Sequence, residues 1–298
     1  METKDKFIGV YSIKFNKRFT SDADCFLYLS TIKWEKGYSC KRCGNVNYIK
    51  GVKPFSRRCS SCKYDESPTA GTMFDKVKFP MLIAFHIVFK IATKIKGMST
   101  LELSHEFELR QPTCWEFKWK VQQAMQSSKR HLLTGEVHVD EIFIGGPEEQ
   151  KRGRSKGEKR LVVIALEKVS DGVGRSYSQI IEHASAKDFK PFFNTYISKE
   201  AHVITDEWTG YLPLKKEYPK LEQIPSKAGS NFKDMHIHIM NLKGWLRGIH
   251  QHCSEERLQG YLDEFNYRFN RRNNMDTIFD LLIIKMVFNE PKRLLSNI

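Results

Sequence analysis

The sequence lacks any long apolar segment. Its most apolar stretch, residues 79–89, is interrupted by His86 and ends at Lys90, whereas a membrane-spanning helix needs about 18 to 20 consecutive apolar residues. The first residues, Met1 to Lys6, also lack the apolar core of a secretory signal. We therefore expect a cytoplasmic protein that has no membrane partner.

Acidic residues are scarce relative to basic ones, and the shortage lies in the N-terminal part of the chain. The 298 residues include 49 Lys and Arg but 35 Asp and Glu, which gives a net charge of +14. Residues 1–130 hold 24 basic and 12 acidic residues, whereas residues 131–298 hold 25 and 23. This asymmetry indicates that the N-terminal part binds a polyanion. Nucleic acid fits better than a membrane surface, because the first 80 residues contain no basic amphipathic helix.

Cysteine is also sparse, with seven residues in the chain. Four of them form two Cys-x2-Cys pairs separated by 15 residues: Cys40, Cys43, Cys59 and Cys62. This spacing is typical of a tetrahedral zinc site, in which each pair presents two thiolates from a tight turn. Two disulfides are the alternative, but they are unusual in a cytoplasmic protein. The remaining cysteines are single and are expected to be small buried residues: Cys25, Cys114 and Cys253.

The segment around these cysteines, residues 36–68, is poor in apolar residues and rich in Lys and Arg. We predict a zinc ribbon there, which depends on the metal for its stability, preceded by a helical lead-in over residues 1–35. The ribbon either serves only as a structural element or also contacts nucleic acid. The predicted DNA-binding residues in it are Lys41, Arg42, Arg57 and Arg58.

Residues 69–130 have the pattern of three helices. We predict them over Phe79–Lys96, Thr100–Phe107 and Pro112–Met125, with a short turn before the third. A short helix, a tight turn and a second helix are typical of a helix-turn-helix DNA-binding segment, although any three-helix bundle has similar turns. Trp115 and Trp119 lie four residues apart and are expected in the core.

Beyond residue 130 the pattern changes to strands that carry acids. Asp140 lies in the middle of the alternating segment Glu136–Ile144, and Asp206 ends the apolar run that begins at Ala201. An acid among Val and Ile costs several kcal/mol unless it is paired or binds a metal. Two of them in a basic protein therefore suggest a metal-dependent site acting on nucleic acid. The alternative is a pair of strand-end acids that face solvent.

The element order of this region is βββαβα, which is that of the ribonuclease-H-like α/β fold. Between its first two strands lies a strongly basic run, residues 151–160. This run is either a solvated hairpin or an arm that binds phosphates. The residues predicted to bind DNA in it are Arg152, Arg154 and Lys156.

A third site residue is expected on the helix within Met235–His250. An apolar stripe there packs on the sheet, and a polar stripe beside it contains His236, Lys243 and Arg247. His236 and Lys243 are seven residues apart and therefore about 20° apart around the helix. We predict that His236 completes the metal site and that Arg247 contacts DNA, although a polar residue beside a core stripe is often just solvated.

The chain resembles the insertion-sequence transposases of the DDE class, in the bacterial lineage that joins an N-terminal zinc ribbon to an ISXO-type catalytic domain. Each matching motif alone is weak, but their order along most of the chain is specific. The motifs are Val139-Asp140-Glu141 with Gly145-Gly146, Thr205-Asp206-Glu207-Trp208-Thr209-Gly210-Tyr211, Leu242-Lys243 followed by Gly248–Ser254, and Tyr261–Arg272.

The resemblance implies that Asp140 and Asp206 hold two catalytic Mg²⁺ or Mn²⁺ ions, and that Lys243 belongs to the same catalytic site and contacts DNA there. The third catalytic position is Glu or Asn in the relatives and is His236 here. Imidazole is a poor ligand for Mg²⁺ but a better one for Mn²⁺. The implied partners are double-stranded DNA, as terminal inverted repeats and target, and at least a second copy of the chain in the complex with DNA.

These observations predict a multidomain α+β protein. Its expected activity is metal-dependent cleavage and strand transfer of DNA at the nucleoid. A zinc-ribbon DNA-binding regulator with an inactive catalytic domain is one alternative, and a structure-selective nuclease is another. The predicted divisions are a lead-in over 1–35, the zinc ribbon over 36–68, the helix-turn-helix segment over 69–130, the catalytic domain over 131–290 and a tail over 291–298.

Overall fold

The computed structural model describes residues 6–145, 159–170, 172–250 and 254–290. The predicted tail and Cys253 lie outside these residues. The chain divides into two compact units, Met1–Met125 with Asn273–Ile298 and Gln126–Arg272. No helix within the described residues is long and apolar enough to cross a membrane.

The first unit is a helical assembly with a small sheet. Two of its helices begin at a serine cap. Ser21 forms a capping box with Asp24, and Ser99 forms one with Glu102. The helices are α1 (Ser12–Arg18), α2 (Asp22–Lys33), α3 (Met81–Thr93), α4 (Thr100–Phe107), α5 (Gln111–Met125) and α9 (Ile278–Phe288), and the strands are β1 (Tyr48–Lys50), β2 (Arg57–Cys59) and β3 (Asp65–Glu66).

Aromatic rings form the core of this unit. The ring of Phe15 stacks on Phe89 with centroids 4.3 Å apart and meets Phe279 of α9 edge-on at 5.3 Å. The buried hydroxyl of Tyr28 accepts a hydrogen bond from the Phe7 amide and donates one to Asp280. Helix α9 thus belongs to the first unit, whereas the predicted catalytic domain extended to residue 290.

The three predicted helices of residues 69–130 are present, with different limits for the first. Helix α3 begins after Pro80 and ends at Thr93, because Lys94 is already extended. The expectation that Trp115 lies in the core is wrong, because its side chain remains 37% exposed. The buried face of α5 runs instead through Cys114, Phe117 and Val121, and Trp119 is half-buried.

The second unit contains a five-stranded sheet in the order β6-β5-β4-β7-β8. Strands β4, β5 and β6 are antiparallel neighbours, and β7 and β8 continue the sheet in parallel with β4. The predicted order βββαβα is present, with β8 as an addition in the Pro- and Lys-rich stretch. The elements are β4 (Glu136–Ile144), β5 (Arg160–Val169), β6 (Gly172–Ile181), α6 (Ala186–Tyr196), β7 (His202–Thr205), β8 (Leu221–Gln223), α7 (Lys233–Ile249) and α8 (Glu255–Phe269).

The sheet has a hydrophobic core on each face because side chains alternate along its strands. Val137 and Val139 of β4 pack with α6 and the 3₁₀ segment Thr209–Lys216. Ile142 and Ile144 pack on the opposite face with α7 and α8. The odd-numbered and even-numbered residues of β4 therefore have different neighbours, and this difference determines where each acid of the strand points.

The core between α7 and α8 contains a buried histidine. His238 is 3% exposed, and its ring lies 4.4 Å from Phe269 and 5.4 Å from Phe265. Burial, and then the charge of Arg272, lower the pKa of His238 from 6.5 to about 4. The imidazole is therefore neutral in the folded protein at neutral pH.

Acidification should consequently destabilise this unit. The unfolded chain protonates His238 near pH 6.5 and the folded chain near pH 4, so stability falls as the pH drops through this window. From pH 7.5 to 5 we expect a loss of about 2 kcal/mol from this group, measured by urea unfolding. The His238→Leu variant should show a flatter pH dependence, whereas replacing the exposed His183 by Leu should not. An unchanged pH dependence in His238→Leu would contradict this assignment.

Candidate active site and metal centre

The four paired cysteines converge in the first unit. Their Sγ atoms all lie within 4.8 Å of one another, with 3.6 Å between Cys40 and Cys62 and 3.5 Å between Cys43 and Cys59. A tetrahedron with metal–sulfur bonds of about 2.3 Å has edges of about 3.8 Å, whereas a disulfide bond measures about 2.05 Å. The sulfurs are thus spaced for a metal ion such as zinc and not for two disulfides.

Each Cys-x2-Cys turn is closed in the same way. The amide of Gly44 donates to the carbonyl oxygen of Cys40, and the amide of Lys63 donates to that of Cys59. Both closing residues have left-handed backbone, with φ of 73° and 59°. Burial would raise the pKa of Cys59, but hydrogen bonds from Asn45 and from backbone amides lower it to about 6. This environment favours the thiolate that a metal requires.

The cysteine module is fixed to α2. Trp34 and Tyr38 pack on Cys40 and Cys59 in a small core. Lys33 forms a buried ion pair with Glu66, with 2.8 Å between Nζ and Oε1, and also donates to the carbonyl oxygens of Ser67 and Ala70. Burial lowers the pKa of Lys33.

The four basic residues predicted to bind DNA in this module differ in exposure. Lys41 and Arg42 are exposed, whereas Arg57 and Arg58 are half-buried. The guanidinium group of Arg57 lies 4.6 Å from the ring centroid of Trp34 and 4.2 Å from that of Tyr48. Arg57 therefore contributes to packing within the module, and Lys41 and Arg42 are the more accessible pair.

The two aspartates of the second unit lie on neighbouring strands. Strand β4 pairs with β7 in parallel, with Val137 opposite Val203 and His138 opposite Ile204. Continuing this register by two residues brings Asp140 opposite Asp206, and neighbouring strands are about 4.8 Å apart. Both positions share the side of Ile142 and Ile204, which is the face covered by α7.

Backbone amides orient both carboxylates. Oδ1 of Asp140 accepts from the amide of Glu141 at 2.8 Å, and Oδ1 of Asp206 accepts from the amide of Trp208 at 3.0 Å. Both aspartates are half-buried. Two carboxylates with this placement offer oxygen ligands of the kind that Mg²⁺ and Mn²⁺ prefer.

Helix α7 places Lys243 near Asp140. Partial burial lowers the pKa of Lys243, and the charge of Asp140 opposes that shift. The N-terminal turn of α7 is tied to the sheet by an ion pair between Asp234 and Lys168 of β5. Arg247, one turn after Lys243, is exposed.

His236 has a different environment. It is exposed, and its imidazole lies over Gly229, where an added Cβ would be 2.5 Å from Nδ1. His236 precedes Lys243 by seven residues and is thus displaced from it by about 10 Å along the helix axis. Among the described residues, the four cysteines are the one group of three or more side chains placed to hold a metal ion, so Asp140, Asp206 and His236 do not form such a group. The role of His236 stays a prediction.

The acids that follow the two aspartates have other surroundings. Glu141 accepts a hydrogen bond at Oε2 from the hydroxyl of Tyr211, 2.6 Å away, and Tyr211 belongs to the core on the α6 face. Glu207 is exposed. Nothing in the sequence indicated that Glu141 pairs with Tyr211. The predicted residues Arg152, Arg154 and Lys156 lie outside the described part of the chain.

Comparison with known families decides the identity of the second unit. Residues 132–270, a little under half of the chain, match the family model of the ISXO2-like transposase domain. This segment is similar to the ISXO2-like transposase domain. It runs from just before β4 to the end of α8 and so includes Asp140, Asp206 and Lys243. No curated protein matches the chain.

The transposase domain confirms the predicted relationship to insertion-sequence transposases of the DDE class. The cluster of four cysteines lies where the accompanying zinc ribbon was predicted. A transposase domain implies action on DNA, which agrees with the excess of positive charge in residues 1–130.

Proposed function

We propose that this protein is the DNA transposase of a bacterial insertion sequence, which binds the terminal inverted repeats and catalyses metal-dependent cleavage and strand transfer. The proposal rests on one observation above all. The parallel register of β4 and β7 pairs His138 with Ile204, and its continuation by two residues supports a pair of Asp140 and Asp206 on the face covered by α7, within the segment that matches the ISXO2-like transposase domain. Near Asp140 the same face carries Lys243.

The strand order supports a ribonuclease-H-like domain. On one side of the central strand β4 lie β5, antiparallel to β4, and then β6, antiparallel to β5. On the other side lie β7 and β8, which run parallel to β4. Asp140 and Asp206 would hold the catalytic Mg²⁺ or Mn²⁺ ions, with His236 as the proposed third residue. When bound, divalent ions activate the oxygen that attacks the phosphodiester and stabilise the oxygen that leaves.

The protein's own residues have distinct roles in this scheme. The amides of Glu141 and Trp208 orient the two carboxylates. Lys243 is half-buried, and its ammonium group would neutralise the charge of a phosphate near Asp140. Arg247 is exposed one turn later and would contact the DNA backbone. The basic residues 152, 154 and 156 are proposed as further phosphate contacts.

The first unit is proposed to recognise the DNA ends. Residues 1–130 carry the charge excess, and Cys40, Cys43, Cys59 and Cys62 are proposed to hold zinc. Helices α4 and α5 are joined by a tight turn at Glu108, whose φ is 52°, which supports a helix-turn-helix. Joining two ends of one element requires two active sites, so at least a dimer is proposed on DNA at the nucleoid.

The test uses purified protein, a duplex that carries the terminal repeat flanking the gene, and Mg²⁺ or Mn²⁺. We expect nicking at the 3′ end of the repeat that depends on the metal. The Asp140→Ala variant should lose it by about a thousandfold or more, because metal-ion catalysis contributes several kcal/mol and each 1.36 kcal/mol is a factor of ten in rate. Protein that binds the repeat without nicking it in either metal would contradict the proposed activity.

A DNA-binding regulator with an inactive catalytic domain is the second candidate. The observation that favours it is the position of His236, which does not form a group of potential metal ligands with Asp140 and Asp206 among the described residues. The nicking assay separates the two functions when His236→Ala is run in parallel. Nicking by wild-type protein excludes the regulator, and its loss in His236→Ala would assign the histidine to the site.

A further inference from the structure

A buried hydrogen bond lies behind the two aspartates, on the opposite face of the sheet. The hydroxyl of Tyr211 donates to Oε2 of Glu141 over 2.6 Å. Tyr211 is fully buried, and its ring stacks on Phe189 of α6 with centroids 4.4 Å apart and planes 10° apart. Burial, with the nearby charge of Glu141, raises the pKa of Tyr211 well above its ordinary value. Tyr211 is thus a fixed neutral donor.

This hydrogen bond connects the two segments that carry the catalytic aspartates. Glu141 directly follows Asp140 in β4, and its amide is the donor to the Asp140 carboxylate. Tyr211 follows Asp206 by five residues, at the other end of the turn whose Trp208 amide donates to the Asp206 carboxylate. A shift of either segment would therefore move a carboxylate and the donor that orients it.

The turn between Asp206 and Tyr211 has further fixed points. The indole N–H of Trp208 donates to the carbonyl oxygen of Ala184 at 2.8 Å. The side-chain amide of Gln223 donates to the carbonyl oxygens of Asp206 and Trp208. Gly210 has no room for a side chain, because a Cβ would lie 2.6 Å from the Ala184 oxygen. The turn is thus attached to the segment just before α6, to β8 and, through Tyr211, to β4.

We infer that Glu141 and Tyr211 are positioning residues that set the separation of the Asp140 and Asp206 carboxylates. This inference rests on the proposed function, since it assigns the pair to the proposed metal site. Groups that orient metal ligands typically change metal affinity by about 10- to 100-fold when they are removed. A hydrogen bond that served only the fold would affect stability but not the affinity of folded protein for the metal.

The test measures Mn²⁺ binding to full-length, zinc-loaded protein without DNA, by electron paramagnetic resonance. Tyr211→Phe removes only the hydroxyl group. Tyr218→Phe is the matched control, because Tyr218 is fully buried in the same core and its hydroxyl donates to Asn194 of α6 over 3.2 Å and not to Glu141. The Asp140→Ala variant defines the Mn²⁺ binding that belongs to the site.

We expect Tyr211→Phe to weaken Asp140-dependent Mn²⁺ binding by about tenfold or more, and Tyr218→Phe to leave it within about twofold. Both variants should lower the melting temperature, so stability alone does not distinguish them. Glu141→Ala should match Tyr211→Phe, whereas Glu141→Gln keeps an acceptor oxygen and should recover most of the affinity. If Tyr211→Phe does not fold, the comparison of Glu141→Ala with Glu141→Gln tests the inference instead.

Two negative results have different meanings. Wild-type affinity in folded Tyr211→Phe and Glu141→Ala would overturn the positioning role and leave the proposed metal site intact. Wild-type protein that shows no Asp140-dependent Mn²⁺ binding would overturn the proposed catalytic site, and the positioning role with it.

Discussion

Replacing Cys59 by serine is expected to abolish metal binding in the cysteine module and to unfold it. The sulfurs of Cys59 and Cys43 are 3.5 Å apart, and Cys59 is fully buried. The core around it consists of few side chains, mainly Trp34, Tyr38 and Cys40. Such a module depends on its metal, since structural zinc contributes on the order of 10 kcal/mol to the folding of small domains.

The loss of folded structure should extend beyond the four cysteines. The buried ion pair of Lys33 and Glu66 joins α2 to β3, and an unfolded module would expose both charges. We expect zinc content to fall from one ion per chain to nearly none, with a red shift of Trp34 fluorescence. The control is Cys114→Ala, which removes a single buried thiol in α5 and should keep one zinc at a cost of about 1 kcal/mol. One zinc per chain in Cys59→Ser would refute the assignment.

The parts of the molecule that the sequence could predict depend on short spacings. Two Cys-x2-Cys pairs predict a metal site whatever the surrounding fold is, and their four sulfur atoms lie close together in the structure. Side chains alternate along a strand, so Asp140 and Glu141 of β4 lie on different faces, and the two cores of the sheet agree with this alternation. In both cases a local rule of geometry determines where the side chain points.

The parts that could not be predicted depend on long-range packing. Glu141 and Tyr211 are 70 residues apart, and Tyr28 and Asp280 are 252 apart, so no periodicity connects them. The packing of α9 in the first unit also depends on contacts between residues that are far apart in the sequence. The spacing of Trp115 and Trp119 indicated that their side of α5 is buried. The buried side chains of α5 are instead those of Cys114, Phe117 and Val121.

His236 shows a specific limit of helical periodicity. Its angle around α7 agrees with that of Lys243 to about 20°, which suggested that both residues face the same point. The angle does not account for the displacement of about 10 Å along the axis. A residue at the correct angle can therefore lie beside another group, and His236 lies over Gly229.

Neutralising Asp206 should eliminate DNA cleavage while leaving the fold and DNA binding intact. In Asp206→Asn, the side-chain oxygen can still accept from the Trp208 amide, which it does at 3.0 Å in the native turn, so the turn keeps its hydrogen bond. The negative charge that a divalent ion requires is lost. We expect nicking of the terminal repeat to fall by about a thousandfold or more, with an unchanged melting temperature.

The matched control for this variant is Glu207→Gln, since Glu207 is the next residue, is exposed and loses the same charge. Glu207 follows the end of β7 at Thr205 and its side chain is exposed, so the nicking rate of Glu207→Gln should stay within about threefold of wild type. Binding of the repeat, measured by fluorescence anisotropy at fixed salt, should persist in both variants because the proposed recognition surface lies in the first unit. Equal loss of nicking in the two variants would show that nicking depends on the total negative charge of this turn and not on a metal site at Asp206. Retained nicking in Asp206→Asn would remove Asp206 from the proposed pair and require another ligand beside Asp140.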